Sequence, residues 1–407
     1  MRSWQVLKLW GVPFKIHSNW FLLFFLFSWS ISNQINLTSS QFYNIRESWL
    51  IGFFTSFLFL GSIIFHQIVH TFVCIKEGVK IKTITFFFLG AILNTEKGCH
   101  NALGNIKISL VRPVLCFITS FFLLYISYLN DSKEIIFINI ISRVSFLNLF
   151  LGLLHLIPVG SLDGGNLFKS VVWYLSGSKK KGRNLLNKIT LLLSLFTLIV
   201  GFFFIFNSNF YYGIIISLLA LFGINSSKSE IQFMKIENIL KNNDITKLKL
   251  KPLRKIEHDL NFRQFNKLIK IYREKSDKYF FVTNNGRWDG FLTSDNLKDV
   301  SVKKWDLTLV GDYKKSINNF PKTNQNIPLW KIIEKIERTN EGILLVVNSI
   351  GIPKGIIDRN KIGYFVLKEL GLNISIDLIN KIKSDKNYPL GMDLPKIINV
   401  MKRNGDI

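Results

Sequence analysis

Apolar residues run through the first half of the chain in long unbroken stretches rather than in strict alternation. Six such stretches stand out: the run after Trp20 (WFLLFFLFSWSI), then about Trp49–Ile75, Ile106–Tyr128, Ile135–Pro158, Ile189–Phe206 and Tyr211–Ile224. A helix that crosses a bilayer needs roughly 20 apolar residues. Several runs are somewhat short, so their boundaries are soft. Val79–Asn94 (VKIKTITFFFLGAILN) breaks the pattern, being short and rich in β-branched and aromatic residues. It predicts an extended hairpin dipping into the membrane against protein, because unpaired strands cannot face lipid. The leader MRSWQVLKLWGVPFKIHSNW is amphipathic and basic, and no small-residue cleavage site follows it. After Ile224 the pattern changes to polar segments with alternating helix and strand periodicity. The predicted fold is therefore a polytopic α-helical membrane domain over residues 1–225, a basic linker over 226–250, and an α/β tail over 251–407.

Charge orients this arrangement. The net charge is +25, with 48% hydrophobic residues and 37 Phe against 4 Met. Nucleic acid is one partner for such a charge. Here Lys and Arg flank the apolar runs or sit in the tail, so an anionic membrane surface accounts for them and no nucleic-acid partner is expected. Arg2, Lys8 and Lys15 precede the first run; Lys76, Lys80, Lys82, Lys97 and Lys107 follow the second; Lys169, Lys179, Lys180, Lys181 and Arg183 follow the fourth. The intervening loops are poor in positive charge. By the positive-inside rule both termini are expected in the cytoplasm. Cys74, Cys99 and Cys116 are scattered with no CxxC pair, which predicts neither a disulfide framework nor a cysteine zinc site.

Two ionisable clusters lie within the apolar half. The second run ends in Phe65-His66-Gln67-Ile68-Val69-His70. Histidines at i and i+4 share one helix face and can hold one metal; packed, hydrogen-bonded histidines are the plainer alternative. After the fourth run comes His155-Leu156-Ile157-Pro158-Val159-Gly160-Ser161-Leu162-Asp163-Gly164-Gly165. Pro158 ends a helix and Gly164-Gly165 permits a tight reversal, which holds Asp163 at a break in a membrane segment. Two imidazoles and a carboxylate, His66, His70 and Asp163, make a tetrahedral zinc site with one open position. Cys74 lies one turn beyond His70, where an apolar helix face is its expected place. Arg112 and Arg143 either snorkel to an interface or face a polar cavity.

The two motifs in order resemble the site-2 protease family of intramembrane zinc metalloproteases, whose signatures are HExxH and an Asn-x-x-Pro followed by Leu-Asp-Gly-Gly. IHSNWFL around His17 and Trp20 looks like the family's first-span entry, ITFFFLGAI around Gly90 like its membrane hairpin, and Asn148 falls at an upstream asparagine common in the fourth span. The resemblance covers about residues 1–225. It implies that His66, His70 and Asp163 match the zinc ligands, with zinc as the cofactor.

This chain also departs from the family's pattern. The glutamate that acts as general base on zinc-bound water is Gln67, which has no titratable acceptor. The family's asparagine before Pro158 is His155, its hairpin Gly-Gly is Leu89-Gly90, its Gly-Pro glycine is Arg112, and the arginine after Asp-Gly-Gly is Asn166. The expected function is a proteolytically impaired homologue that binds a membrane protein without cutting it, with zinc retained, reduced or lost. His155 either adds a fourth metal ligand or only hydrogen-bonds a loop, and the latter is favoured. The alternative is an active metalloprotease that cleaves a transmembrane helix in regulated proteolysis; Glu77 and Glu96 are the substitute bases at hand, but neither has the placement of position 67. A third reading, a transporter or assembly factor, would call for paired charges or inverted repeats that the sequence does not display. The expected setting is the plasma membrane, or the thylakoid membrane in a cyanobacterium.

In the tail, KYFFVTNNGRWDGFLTSDNLKDV reads as strand, turn at Asn285-Gly286, strand, helix. GILLVVNSIGIPKGIIDRNKIGYFVLKEL repeats that layout about 60 residues later. The repeat resembles a tandem CBS-domain pair. In that family a strand ending Gly-x-x-Thr/Ser-x-x-Asp binds adenosine nucleotides. The positions here are Gly290, Thr293, Asn296 with Asp295 one place early, then Gly355, Asp358 and Lys361. The match is partial, so a docking or dimerisation module is expected rather than a nucleotide sensor.

Overall fold

The computed structural model describes residues 3–39, 44–87, 90–129, 135–160, 162–207, 210–272, 278–339, 342–372 and 388–407. By its internal contacts the chain forms two units, Met1–Gln232 together with Val400–Ile407, and Phe233–Asn399.

The first unit begins with a hairpin of β1 (Ser3–Leu9) and β2 (Val12–His17). Trp10 and Gly11 connect them, both with positive φ (49° and 81°), as a two-residue type I′ turn requires. Six long helices follow: α1 (Asn19–Ser39), α2 (Ile45–Lys76), α3 (Ala102–Leu129), α4 (Ile135–Leu156), then, after the short α5 (Asp163–Ser176), α6 (Lys179–Phe206) and α7 (Phe210–Asn242). Between α2 and α3 lie β3 (Lys80–Phe87) and β4 (Gly90–Lys97). The six expected apolar runs fall on α1, α2, α3, α4, α6 and α7. Five of these, all but α1, are long and apolar enough to cross a membrane by length and composition. Phe57, Phe121, Phe122, Phe196, Phe203 and Phe222 remain more than half exposed, as side chains meant for lipid would be. The chain is an integral membrane protein.

Two boundaries differ from the sequence reading. Helix α6 starts ten residues before Ile189, because Ser178 caps it by accepting from the Lys181 backbone N–H (3.4 Å) and the basic first turns are helical. Helix α7 runs on to Asn242, so residues 226–242 of the expected linker continue a helix.

The strands join in one sheet of order β1-β2-β3-β4, with β2 and β3 parallel. The β3–β4 hairpin is the one expected from Val79–Asn94; the leader hairpin beside it is not. Val12, Phe14, Ile84 and Phe86 form the buried face, packed on Ile64, Ile68 and Ile75 of α2. Helices α1 and α2 meet through small residues. A Cβ on Gly52 would lie 2.5 Å from the Ser28 carbonyl, and Ser28, Ser32, Thr55 and Ser56 are buried there. Helices α3 and α4 are tied by Ser120 and Ser145, whose hydroxyls lie 3.0 Å apart.

Residues 400–407 belong to this first unit. The Gly98 N–H donates to the Arg403 carbonyl (2.8 Å), and Lys179 pairs with Asp406 (3.2 Å).

The second unit holds β5 (Lys255–Glu257), α8 (Phe262–Tyr272), β6 (Tyr279–Asn284), β7 (Arg287–Thr293), the single turn α9 (Val310–Tyr313), β8 (Lys315–Ser316), β9 (Lys322–Asn324), α10 (Leu329–Glu337), β10 (Ile343–Val347), β11 (Pro353–Asp358), α11 (Arg359–Glu369) and α12, which starts at Leu394 and runs on to Arg403. Its sheets have the orders β5-β6-β7-β8 and β11-β10-β9. Each half repeats a short strand, a helix, and then an antiparallel hairpin whose first strand lies parallel to the short one. Phe281, Phe291, Phe320, Leu345, Val347 and Ile356 form one core shared by both halves. The helix expected after β7 is instead a 3-10 segment, Ser294–Asp299, with Thr293 and Asn296 forming its capping box.

Candidate functional site

The site is built on α2. His66, Gln67 and His70 are buried on it, with 3–5% of their surface exposed. Gln67 follows His66 directly, and His70 lies one helical turn further on.

Opposite stands Asp163. Helix α4 ends at Leu156, and the chain turns back through Pro158 into α5. This requires glycine at two successive positions. A Cβ on Gly164 would lie 2.4 Å from the Ile157 carbonyl oxygen, and one on Gly165 2.1 Å from that of Val159. The turn therefore lies flat against the start of the helix. Asp163 occupies the first turn of α5, where the helix dipole favours a carboxylate. The residue that caps α5, Leu162, offers no side-chain hydrogen bond. The Asp163 carboxylate is thus free to reach neighbouring helices.

Arg112 is the centre of what it reaches. Its Nη1 donates to both Asp163 oxygens at 3.0 Å. Its Nη2 donates to Gln67 Oε1 at 3.1 Å and lies 3.5 Å from His70 Nδ1. His155 Nδ1 meets Asp163 Oδ2 at 3.2 Å. The remaining groups have partners too. His66 Nε2 lies 3.1 Å from Thr119 Oγ1 and its Nδ1 3.4 Å from Cys116 Sγ. His70 has Cys74 Sγ beside it at 3.7 Å. Asn148 stays apart, joining α4 to α2 by accepting from Ser62 Oγ at 3.0 Å.

His66, Gln67, Arg112, His155 and Asp163 share a cavity of about 540 Å³. Its other walls are Trp20, Leu23 and Phe27 of α1, Phe59, Leu60 and Ile63 of α2, Leu151 of α4, Leu162, and Phe87, Gly90 and Ala91 of the β3–β4 hairpin. The polar groups therefore sit in an apolar chamber between helices, a common place for a ligand site in a bundle. Gln67 adds one feature. Arg112 fixes its amide by donating to Oε1, and its buried Nε2 has no hydrogen-bond partner among the described residues.

The structure sets the Arg112 guanidinium between two of the three expected zinc ligands, Asp163 and His70, while His66 turns to Thr119 and Cys116. Among the described residues no three His, Cys, Asp or Glu side chains are grouped to hold a metal. Both oxygens of Asp163 are engaged, and as arranged these residues do not fit a zinc ion. His155 points at the carboxylate rather than at a loop. Arg112 faces the cavity, whereas Arg143 reaches Gln34 of α1 at 3.5 Å. Glu77 pairs with Lys107 (2.9 Å) and Glu96 with Lys82 (3.2 Å), and neither lines the cavity. Leu89 lies outside the described residues. The sequence reading missed Cys116 and Thr119, although they stand four and seven residues after Arg112, on the same helix face. It also placed His17 at the start of the first span, where His17 Nδ1 accepts from the Asn19 N–H at 3.3 Å.

In the tail, the residues compared with a nucleotide motif are engaged with protein. Asn296 accepts from the Thr293 N–H at 2.8 Å. Asp358 accepts from the Lys361 N–H at 2.8 Å and pairs with Lys251.

Residues 118–198, which include His155 and Asp163, match the model of Peptidase family M50. A putative zinc metalloprotease of Synechocystis sp. is 23% identical over 370 residues, 88% of this chain and 94% of that protein. Among solved structures, the site-2 protease from Methanocaldococcus jannaschii aligns at 24% identity over 56% of this chain and 95% of its own, with a TM-score of 0.37. The CBS domain of the bacterial CNNM/CorC family Mg2+ transporter aligns at 16% identity over 41% of this chain and 98% of its own, with a TM-score of 0.29. The chain is thus similar to zinc metalloproteases over most of its length and carries a segment that matches Peptidase family M50, with an α/β part after its membrane helices.

Proposed function

We propose that this protein is a non-cleaving member of the site-2 protease family, which holds a transmembrane segment of another protein in the cavity between α1, α2, α4 and the β3–β4 hairpin. One observation carries the reading: the side chain at the position of the family's general base is Gln67, whose Oε1 is bound by Arg112. An amide cannot take a proton from water at neutral pH, and loss of a general base costs about 10²–10⁴-fold in rate. The apolar walls support binding without chemistry, since they suit the side chains of a lipid-facing helix. We place the protein in the plasma membrane, or the thylakoid membrane of a cyanobacterium, with both termini cytoplasmic, and assign the CBS-like tail to docking or dimerisation.

The test uses the full-length protein in liposomes with a panel of defined single-span peptides and a photo-crosslinker at Leu151. Saturable crosslinking to a subset of the panel without cleavage is the expected result. Cleavage of any member that a chelator abolishes would show the protein to be a working protease.

A further inference from the structure

The charges in the cavity balance without a metal. Arg112 contributes one positive charge and Asp163 one negative, while Gln67 is neutral. A zinc ion added to this set would leave two uncompensated positive charges in a half-open, mainly apolar chamber, where ionic groups are costly unless paired. Compared with the family's motif, Gln67 removes one negative charge and Arg112 adds one positive. Together the two changes equal the charge of the ion they would replace. The geometry agrees with the sum. The guanidinium lies between α2 and α5, in contact with Asp163 and Gln67 and 3.5 Å from His70.

We propose that Arg112 is the resident cation of this site in place of a metal, and that it aims the Gln67 amide as a hydrogen-bond donor for a backbone carbonyl of the bound segment. Asp163 holds the guanidinium at 3.0 Å, and His155 takes the outer side of the same carboxylate. The guanidinium takes Gln67 Oε1, which leaves Nε2 as the end of the amide with no partner among the described residues. A buried donor left without an acceptor is destabilising, so the cavity favours an occupant that brings an acceptor. A peptide with one carbonyl free of its helical bond is such an occupant. The donor role rests on the reading of the cavity as a segment-binding site; the metal substitution does not.

Two measurements separate these claims. Zinc content is determined for the purified full-length protein equilibrated with micromolar free zinc, in wild type, Arg112→Gly and Arg112→Gln. Wild type is expected to stay metal-free, and both variants are expected to bind zinc at least about ten-fold more tightly than wild type, the scale on which residues around metal ligands tune affinity. Arg112→Gln removes the charge but keeps a polar, shorter side chain with donors of its own, so it reports even where the glycine variant unfolds. Wild-type protein that carries a zinc lost on His66→Ala or Asp163→Ala overturns the substitution. Folded variants that stay zinc-free also overturn it. For the donor, Gln67→Met keeps bulk and removes the amide. Affinity for a crosslinked single-span peptide is expected to fall about 3–10-fold, the value of one hydrogen bond, and unchanged affinity excludes the role. Neither readout depends on cleavage, so either can fail while the non-cleaving function stands.

Discussion

Asp163 and Asp358 occupy similar places and do opposite work. Each follows an extended residue or strand at the start of a helix, each is about 7–8% exposed, and each has a basic partner, Arg112 or Lys251. Asp358 spends its carboxylate locally, accepting the N–H of Lys361 in its own helix. Asp163 joins three helices, because Leu162 caps α5 without a side chain and both carboxylate oxygens go to α3 and α4. An aspartate that caps is explained by its own element. An aspartate in the first turn that leaves its helix uncapped to reach across a cavity asks for a reason beyond the helix.

The same substitution at both positions breaks the comparison most sharply. Asp163→Asn leaves the partly buried Arg112 without its counter-ion and is expected to cost about 2–4 kcal/mol, seen as faster hydrogen exchange in α3 and α5. Gly165→Ala is expected next, at about 1–3 kcal/mol, because its Cβ would meet the Val159 carbonyl; exchange should rise in α5 and leave α11 unchanged. In the tail, Tyr388 donates to Glu337 Oε1 at 3.1 Å, while Arg359 grips the same carboxylate (2.8 and 3.2 Å). Burial first, and then Glu337, push the Tyr388 phenol above its ordinary pKa. Tyr388→Phe is expected to cost about 0.5–1.5 kcal/mol in the tail's unfolding midpoint. Asp358→Asn comes last. Asparagine caps as well as aspartate, and a partly exposed pair with Lys251 adds about 0–1 kcal/mol. A large loss at Asp358 and a small one at Asp163 would reverse the assignment of cap and anchor.

Much of this was legible in the sequence for reasons that differ by region. Long apolar runs located the six helices, because a lipid-facing helix has almost no freedom of composition. Their ends were not, since Ser178 and the lysines after it are polar yet helical. The hairpin at Asn285-Gly286 was readable because both positions need positive φ. The leader hairpin was readable in principle, from Val12, Phe14 and Ile16 alternating after Trp10-Gly11, but its basic residues suggested an amphipathic leader instead. At the site, His66, Gln67, His155 and Asp163 announced themselves by motif. The role of Arg112 did not, because its partners lie 45 and 51 positions away in the chain. No local pattern records such a contact. The half of each tail repeat that precedes its hairpin was hidden too, as β5 and β9 are three residues each.

The chain leaves the membrane unit at Gln232 and re-enters it at Val400, where Arg403 and Asp406 are held by Gly98 and Lys179. In chain order the second unit is therefore an insertion within the first, joined to it covalently at both ends. A single cut in it, for instance at a protease site inserted in the Asn348–Gly351 turn, severs one tether and leaves the other. Both fragments should then travel together through a size-exclusion column. Release of the C-terminal fragment would need two further events, the unpairing of β11 from β10 and the undocking of residues 400–407.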